Sequence, residues 1–338
     1  MRIALISTCS AATPPAAYGG IERFVATLAG GLGERGHAVT VYATGNSRPP
    51  AALRACFACP IWPIDPAAEW RHARYAWNDL RRGGVDVVHC NVPDALDDEL
   101  MVELPTLATI HHPRIDRLLP RYRGARAQCV ALSRDHARRF PELGPPPFVH
   151  HGLDVERFPA GDGAGGYVAF LGRIGPEKAP HLAVAAACRA GTPLVVAGPH
   201  WPGDPRYDDY YVRAFAPSME RAGGLARWVG ECDQARKLAL LGGAAALLMP
   251  LGWDEPFGLV AVEAMLVGTP VVAFRRGGLP ELVDEDVTGF VVDDIDAMAR
   301  AIARATRLDR RAVRERARQR FAASRMAAEY EALYRSIS

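Results

Sequence analysis

Two doubly wound α/β domains in series are the fold class that this sequence predicts. Three observations carry the expectation. The chain has 338 residues, beyond the roughly 250–300 at which a single hydrophobic core stops growing, so two domains are expected. Apolar β-rich runs alternate with helix-period segments from end to end, the pattern of parallel sheets covered on both faces. That alternation is interrupted at Gly161-Asp162-Gly163-Ala164-Gly165-Gly166, where glycine rises and apolar content falls, as in a linker.

In the first half, strands are expected at 2–7, 38–43, 85–90, 106–111 and 127–132, with helices at 21–35, 67–82 and 134–140. Gly36 after Arg35 is an ordinary helix stop. Beyond the glycines the alternation resumes over 167–171, 181–190, 194–197, 207–222, 226–229, 234–241, 244–249, 258–266, 270–274 and 289–292. Residues 294–336 read as helical with arginine-rich faces. The domains expected are 1–160 and 161–310, followed by terminal helices over 311–338. Ligands of such sheets bind outside the carboxyl ends of strands, here in a cleft between the domains.

With 49% hydrophobic and 23% charged residues the chain reads as globular, and a net charge of +2 gives no reason to invoke nucleic acid. No segment nears the roughly 18 apolar residues of a membrane span. The opening Met1-Arg2-Ile3-Ala4-Leu5-Ile6-Ser7 reads as a buried strand, too short in its apolar run for a signal peptide. Seven scattered cysteines, Cys90, Cys129, Cys188 and Cys232 among them, behave as small hydrophobes. The single Cys56-Phe57-Ala58-Cys59 lacks the second pair or spaced histidines of a zinc site. No metal is expected, and a reducing cytoplasm fits best.

The most informative stretch is Leu251-Gly252-Trp253-Asp254-Glu255-Pro256-Phe257-Gly258-Leu259-Val260-Ala261-Val262-Glu263-Ala264-Met265. A strand is expected to end at Met249 and a helix to open at Pro256, since proline's missing N–H costs nothing in a first helical turn. Gly258 lets a ligand approach the backbone, and the free amides with the positive dipole end make an anion site. At a rise of roughly 1.5 Å per residue, the Glu255 and Glu263 carboxylates would lie about 12 Å apart along the axis. That suits two ends of an elongated ligand and not an acid–base pair on one bond. Taken alone, the pair reads as a capping glutamate and a solvated one. Around it stand Gly268-Thr269-Pro270-Val271-Val272 and Gly277-Gly278-Leu279-Pro280-Glu281. With these the stretch closely resembles family 4 of the retaining glycosyltransferases. Those enzymes have the GT-B fold, two doubly wound Rossmann-like domains facing across a cleft with C-terminal helices crossing back. The resemblance implies that Glu255 contacts donor-sugar hydroxyls and Glu263 the ribose, with Phe257, Gly258 and Leu259 in the same donor site.

Phe170-Leu171-Gly172-Arg173-Ile174-Gly175-Pro176-Glu177-Lys178 puts two cations on a loop after a strand. A departing nucleotide diphosphate needs its growing charge stabilised by metal or fixed cations. The segment looks like the family's G-R-x4-K element, which implies that Arg173 and Lys178 bind the pyrophosphate without metal, beside Gly172. Tyr18-Gly19-Gly20-Ile21-Glu22-Arg23 lacks dinucleotide-binding spacing. Gly19 and Gly20 form either a turn or a loop that, in similar enzymes, borders donor phosphate and acceptor.

His111 ends a strand and corresponds to a family histidine close to the donor sugar, while His112, His89 and His151 are weaker candidates. His150-His151-Gly152-Leu153-Asp154 resembles a family Asn-Gly-[Val/Leu/Ile]-Asp element with His151 in place of asparagine, so its turn chemistry differs. The base is expected at Trp228-Val229-Gly230-Glu231, chiefly Val229 and Gly230. Arg114, Arg117, Arg121, Arg123, Arg126, Arg134, Arg138 and Arg139 read first as solvated helix faces. An anionic acceptor or an anionic membrane surface held by this 114–139 stretch is the sharper alternative.

The implied reaction is transfer of a hexose-type sugar from a nucleotide diphosphate sugar, a UDP-sugar before GDP-mannose, to a small-molecule, glycan or lipid-linked acceptor. It needs no cofactor beyond that co-substrate. A sugar-nucleotide 2-epimerase of the same fold and a non-catalytic nucleotide-sugar-binding protein are the rival readings. The four intact residues Arg173, Lys178, Glu255 and Glu263 weigh against the second.

Overall fold

The computed structural model describes residues 1–16, 19–97 and 99–338; Tyr18 of the Gly-Gly segment lies outside them. The chain divides into one unit made of Met1–Asp154 with Phe321–Ser338 and a second made of Val155–Arg320.

The first unit carries β1 (Arg2–Ile6), α1 (Gly20–Glu34), β2 (Ala38–Tyr42), β3 (Ala52–Arg54), α2 (Pro66–Leu80), β4 (Val87–Cys90), β5 (Thr106–Thr109), α3 (Leu119–Gly124), β6 (Gln128–Val130) and α4 (Arg134–Arg138). Its strands pair in the order β3-β2-β1-β4-β5-β6, all parallel. Strands β4 and β5 are buried along their whole length, as in a parallel sheet covered on both faces, and the polar His89 and Thr109 within them bond to each other. Asp65 caps α2 by accepting from the Ala67 N–H at 2.9 Å, and Ser133 caps α4 through the His136 N–H at 3.1 Å.

The second unit repeats the plan with β7 (Val168–Leu171), α5 (Pro180–Ala190), β8 (Leu194–Ala197), α6 (Pro205–Tyr210), α7 (Ala216–Ala222), β9 (Ala226–Trp228), α8 (Gln234–Gly243), β10 (Leu247–Met249), α9 (Leu259–Leu266), β11 (Val271–Phe274), α10 (Leu279–Leu282), β12 (Gly289–Val292), α11 (Ile295–Ala305) and α12 (Arg310–Phe321). The order is β12-β11-β10-β7-β8-β9, again all parallel. Both sheets are therefore doubly wound, as expected. Each reverses its strand order once, between β1 and β4 and between β7 and β10, and the crevice at such a reversal is where ligands of these sheets bind.

Two expectations need correction. The glycine-rich segment at 161–166 is no linker. Gly161, Gly163 and Gly165 donate to the carbonyls of Val267, Gly242 and Gly243 at 2.8, 2.9 and 2.9 Å. A Cβ on Gly161 would sit 2.3 Å from Gly242, so glycine serves close approach here. Arg310 straps the segment down, donating to the carbonyls of Gly161, Gly242 and Ala244 and to Thr269 Oγ1 at 2.7–3.1 Å. The first unit also regains the chain at Phe321, later than 311, because α12 stays with the second unit.

What returns to the first unit is α13 (Ala323–Ile337). Leu153 and Phe321–Ala323 exchange backbone hydrogen bonds of 2.8 Å. Tyr330 and Tyr334 enter the core beside Phe24, Leu28 and Leu107. Gly31 of α1 allows the helices to touch, since a Cβ there would lie 2.9 Å from that of Ala327. Buried His89 is bonded at both nitrogens, to Tyr334 Oη and to Thr109 Oγ1, each at 2.7 Å. No helix among the described residues is long and apolar enough to cross a membrane.

Burial depresses several histidines of this unit, His72 and His136 to about 4, His89 and His151 to about 3. It raises the Glu69 carboxyl to about 7. An unfolded histidine titrates near 6.5, so as pH falls below that value the unfolded chain takes protons the folded unit refuses, and stability drops. Glu69 acts oppositely, gaining its proton in the folded state below about pH 7 and in the unfolded chain only near 4.5. Four histidines outweigh one carboxyl. The urea midpoint should therefore be lower near pH 5 than near pH 7.5, with each histidine contributing up to about 1.4 kcal/mol per pH unit. An equal or higher midpoint near pH 5 would contradict this balance.

Candidate functional site

The loops that leave β7 and β10 flank the reversal point of the second sheet, and of the expected donor residues Gly172, Arg173, Lys178, Glu255, Phe257 and Gly258 lie on them. Backbone meets backbone among these loops. Gly172 donates to the Ala197 carbonyl at 3.0 Å, Ile174 to Pro199 at 2.9 Å and Gly252 to Glu177 at 3.0 Å. A Cβ on Gly198, at φ +146, would fall 1.9 Å from the Gly172 carbonyl oxygen, and one on Gly252 would fall 2.5 Å from that of Pro176. Only glycine fits at these contacts.

On this framework Arg173 pairs with Glu177, Nε to Oε1 at 2.9 Å. Its guanidinium lies 4.1 Å from the Trp201 ring centroid and 5.3 Å from that of Tyr207, favourable cation–π distances. Lys178 Nζ pairs with Glu255 Oε2 and stands 5.0 Å from the Trp253 ring. Trp253 Nε1 donates to the same Oε2 at 2.9 Å. One carboxylate thus binds the loop after β7 to the loop after β10.

The structure corrects the local reading of Glu255. Helix α9 opens at Leu259, and Gly258 before it adopts φ +109, a left-handed turn that keeps Pro256 out of the helix. Glu255 belongs to the loop, so the axial spacing of about 12 Å drawn from helix rise does not apply. Its backbone is gripped by the next loop, where Gly278 donates to the Glu255 carbonyl at 2.8 Å. Phe257 is buried. Glu263 lies inside α9, 3% exposed, and pairs with Lys237 of α8.

Val229 and Gly230 follow β9. Val229 donates to Val196, and the Gly230 carbonyl accepts from Gly198, at 3.0 and 2.8 Å. The strand end expected to meet the base is thereby joined to the loop after β8. Trp228 and Val229 stay 36% and 42% exposed, leaving an apolar face for a ring.

Gly19, Gly20 and His111 lie on the first unit. Gly19 precedes α1, and a Cβ on it would meet Pro15 at 2.8 Å and Glu22 Oε2 at 2.9 Å. Buried Glu22 in turn accepts from the Thr8 hydroxyl. His111 donates through Nε2 to Asn91 Oδ1 at 3.0 Å and stacks on His151 with centroids 5.7 Å apart. The imidazole that replaces asparagine thus acts as a ring surface. Burial, then the neighbouring His151, holds His111 well below its ordinary value, so it is neutral at pH 7. In the arginine-rich stretch, Arg114, Arg121, Arg126 and Arg139 are paired with Glu142, Asp94, Glu103 and Asp135.

Sequence reasoning missed Lys237, Glu177, Trp201 and Trp253 as partners of the motif residues. Trp253 stands within the quoted motif and offered a signal in its indole N–H. Glu177 pairs four residues along the same loop, whereas Trp201 reaches Arg173 from another loop and Lys237 reaches Glu263 from another helix.

Gly277 tests the framework. It holds φ +55, and a Cβ there would lie 2.2 Å from the Glu255 carbonyl oxygen. Gly277→Ala should destabilise the protein by about 1–3 kcal/mol through backbone strain and shift tryptophan emission as Trp253 leaves Glu255. An unchanged melting curve and spectrum would refute the contact.

A family model described as Glycosyltransferase Family 4 matches residues 18–157, and one described as Glycosyl transferases group 1 matches residues 159–320. A D-inositol 3-phosphate glycosyltransferase of Mycobacterium avium is 39% identical over 171 residues, 46% of this chain and 39% of that protein. The matched region thus spans well under half of that relative's length. Among solved structures, a glycosyltransferase involved in avilamycin A biosynthesis superposes with a TM-score of 0.76 at 26% identity, covering 99% of this chain and 97% of the other. Anabaena HepE, in complex with UDP and glucose, shares the fold with a TM-score of 0.77 at 18% identity, covering 99% and 100%.

Proposed function

From the premise that the chain belongs to the family 4 and group 1 glycosyltransferases of GT-B fold, we propose that it is a retaining hexosyltransferase. It moves a sugar from a nucleotide diphosphate sugar to an acceptor hydroxyl. The observation that carries this reading is the convergence of Arg173, Lys178 and Glu255 on two loops that flank the strand-order reversal of the second sheet.

In the proposed mechanism Arg173 and Lys178 take up the charge growing on the departing pyrophosphate, helped by the Gly172 loop and the amides at Gly258 and Leu259. Fixed cations there replace a metal. Both are paired with carboxylates in the structure, so the phosphates compete for them, and Glu255 turns to the sugar hydroxyls. Glu263 accepts from the ribose, and Val229 and Gly230 meet the base. Gly19, Gly20 and neutral His111 serve the acceptor and sugar from the first unit. No carboxylate acts as a covalent nucleophile. The acceptor attacks from the leaving-group face, the donor phosphate helping to deprotonate it, and the configuration is kept.

UDP-sugars are favoured over GDP-mannose, with support from the HepE fold relative, solved with UDP and glucose. The acceptor is a small molecule, such as the inositol phosphate in the mycobacterial relative's name, a glycan or a lipid-linked sugar. Four of the arginines at 114–139 are spent on carboxylates, which favours solvated faces over a membrane contact there. The seven free thiols accord with a cytoplasmic enzyme.

The identity of the donor is checked by thermal stabilisation with UDP-, GDP- and ADP-sugars. A true donor at about 100 times its Kd adds roughly 2.7 kcal/mol; no shift with any of them would remove the reading. Arg173→Ala and Lys178→Ala should each lower kcat by about 10²–10³ with the fold intact, and EDTA should leave turnover unchanged. Activity within threefold of wild type in both variants, or metal-dependent turnover, would reject the pyrophosphate assignment. Proton NMR of the product from an α-linked donor should show an α-linkage. A β-linkage would reject retention, and isomerisation without acceptor would favour the epimerase.

A further inference from the structure

We infer that Lys237 is a positioning residue for Glu263, binding one carboxylate oxygen and leaving the other to the ribose. The inference rests on the ribose role proposed for Glu263. Its starting point is compositional. Of the 40 lysines and arginines in the chain, 38 are arginine, and the two lysines are Lys178 and Lys237. Each pairs with one of the two glutamates of the Glu-x7-Glu motif, Lys178 with Glu255 and Lys237 with Glu263. Ion pairs elsewhere, such as Arg139–Asp135 and Arg320–Asp284, use arginine. In a chain this poor in lysine, the choice at these two places calls for a chemical reason.

The geometry supplies one. Glu263 is 3% exposed, and a carboxylate so shielded needs a compensating cation. Lys237 reaches it from α8, with its own side chain 13% exposed. The ammonium meets Oε1, while Oε2 accepts no hydrogen bond among the described residues. A guanidinium presents a planar fork that engages both oxygens of a carboxylate, whereas an ammonium is a compact point charge. Lysine therefore neutralises Glu263 and still leaves lone pairs for the adjacent ribose hydroxyls. An ion pair that merely stitched α8 to α9 would be served as well by arginine.

That difference sets the test. Calorimetry compares UDP, GDP and ADP with their 2′,3′-dideoxy analogues on the full chain, taking the base the wild type binds most tightly. The wild type should prefer the ribonucleotide, and Glu263→Gln should lose that preference. Lys237→Arg should keep the circular dichroism and melting temperature yet cut the preference about tenfold or more, the scale of a lost hydrogen bond to a charged acceptor. Lys237→Met should cut it too, and its folding is not required because the arginine variant decides. If Lys237→Arg keeps the full preference while Glu263→Gln loses it, the positioning role of Lys237 falls and the ribose role stands. If the wild type shows no preference, or Glu263→Gln retains it, the ribose role falls and the inference goes with it.

Discussion

Close contact of main chain with main chain at the strand ends of the second sheet is the constraint on which the site depends. The loops after β7, β8, β10 and β11 touch at Gly172 and Gly198, at Gly252 and Pro176, and at Gly277 and Glu255, leaving no room for a Cβ. Side chains could not set this spacing, because a rotamer hop would change it. Backbone hydrogen bonds between the loops fix it. Charged groups from distant parts of the sequence are thereby held on rigid supports, which catalysis by positioning requires.

Electrostatic order follows from that framework. Arg173, Lys178 and Lys237 each face a carboxylate, Glu177, Glu255 and Glu263 respectively. A low-exposure cluster of cations alone would repel itself and bear a heavy desolvation cost. Pairing lets the cluster exist before any ligand arrives, and tryptophan faces at Trp201 and Trp253 add further support. The phosphates of the proposed donor would exchange partners with groups already ordered. The cost of arranging them is met in folding, not at the moment of binding.

Much of this was legible in the sequence. Strands such as Leu194–Ala197 and Val271–Phe274 are buried on both faces, so their apolar runs state their place without ambiguity. Arg173, Lys178 and Glu255 stand out by residue type and spacing, and what the structure adds is that Lys178 and Glu255 meet while Arg173 pairs with Glu177. Where reading failed, one residue type served two purposes. Proline at 256 fits a first helical turn, yet the left-handed Gly258 delays the helix to Leu259. Glycines at 161–166 have the composition of a flexible joint, but Gly161 and Gly165 lie against Gly242 and Gly243 as tightly packed backbone. Lys237 was invisible for another reason. Its meaning comes from Glu263, 26 residues away on another helix, and helical periodicity carries no information about which side chains meet across helices.

The return of the chain at Phe321 has a consequence for synthesis. The first unit is discontinuous, and its core includes Met326, Ala327, Tyr330 and Tyr334, which are translated only after the whole second unit. At about 5–20 residues per second, a ribosome needs roughly 10–30 s to make the intervening second unit. Throughout that interval the nascent first sheet has the α1 face that will receive α13 uncovered, and His89 lacks its tyrosine partner. The second unit is contiguous and has no such wait, so it can close first although it is made second. Order of folding can thus run opposite to order of emergence, with the first sheet left waiting behind an apolar helix face that α13 covers.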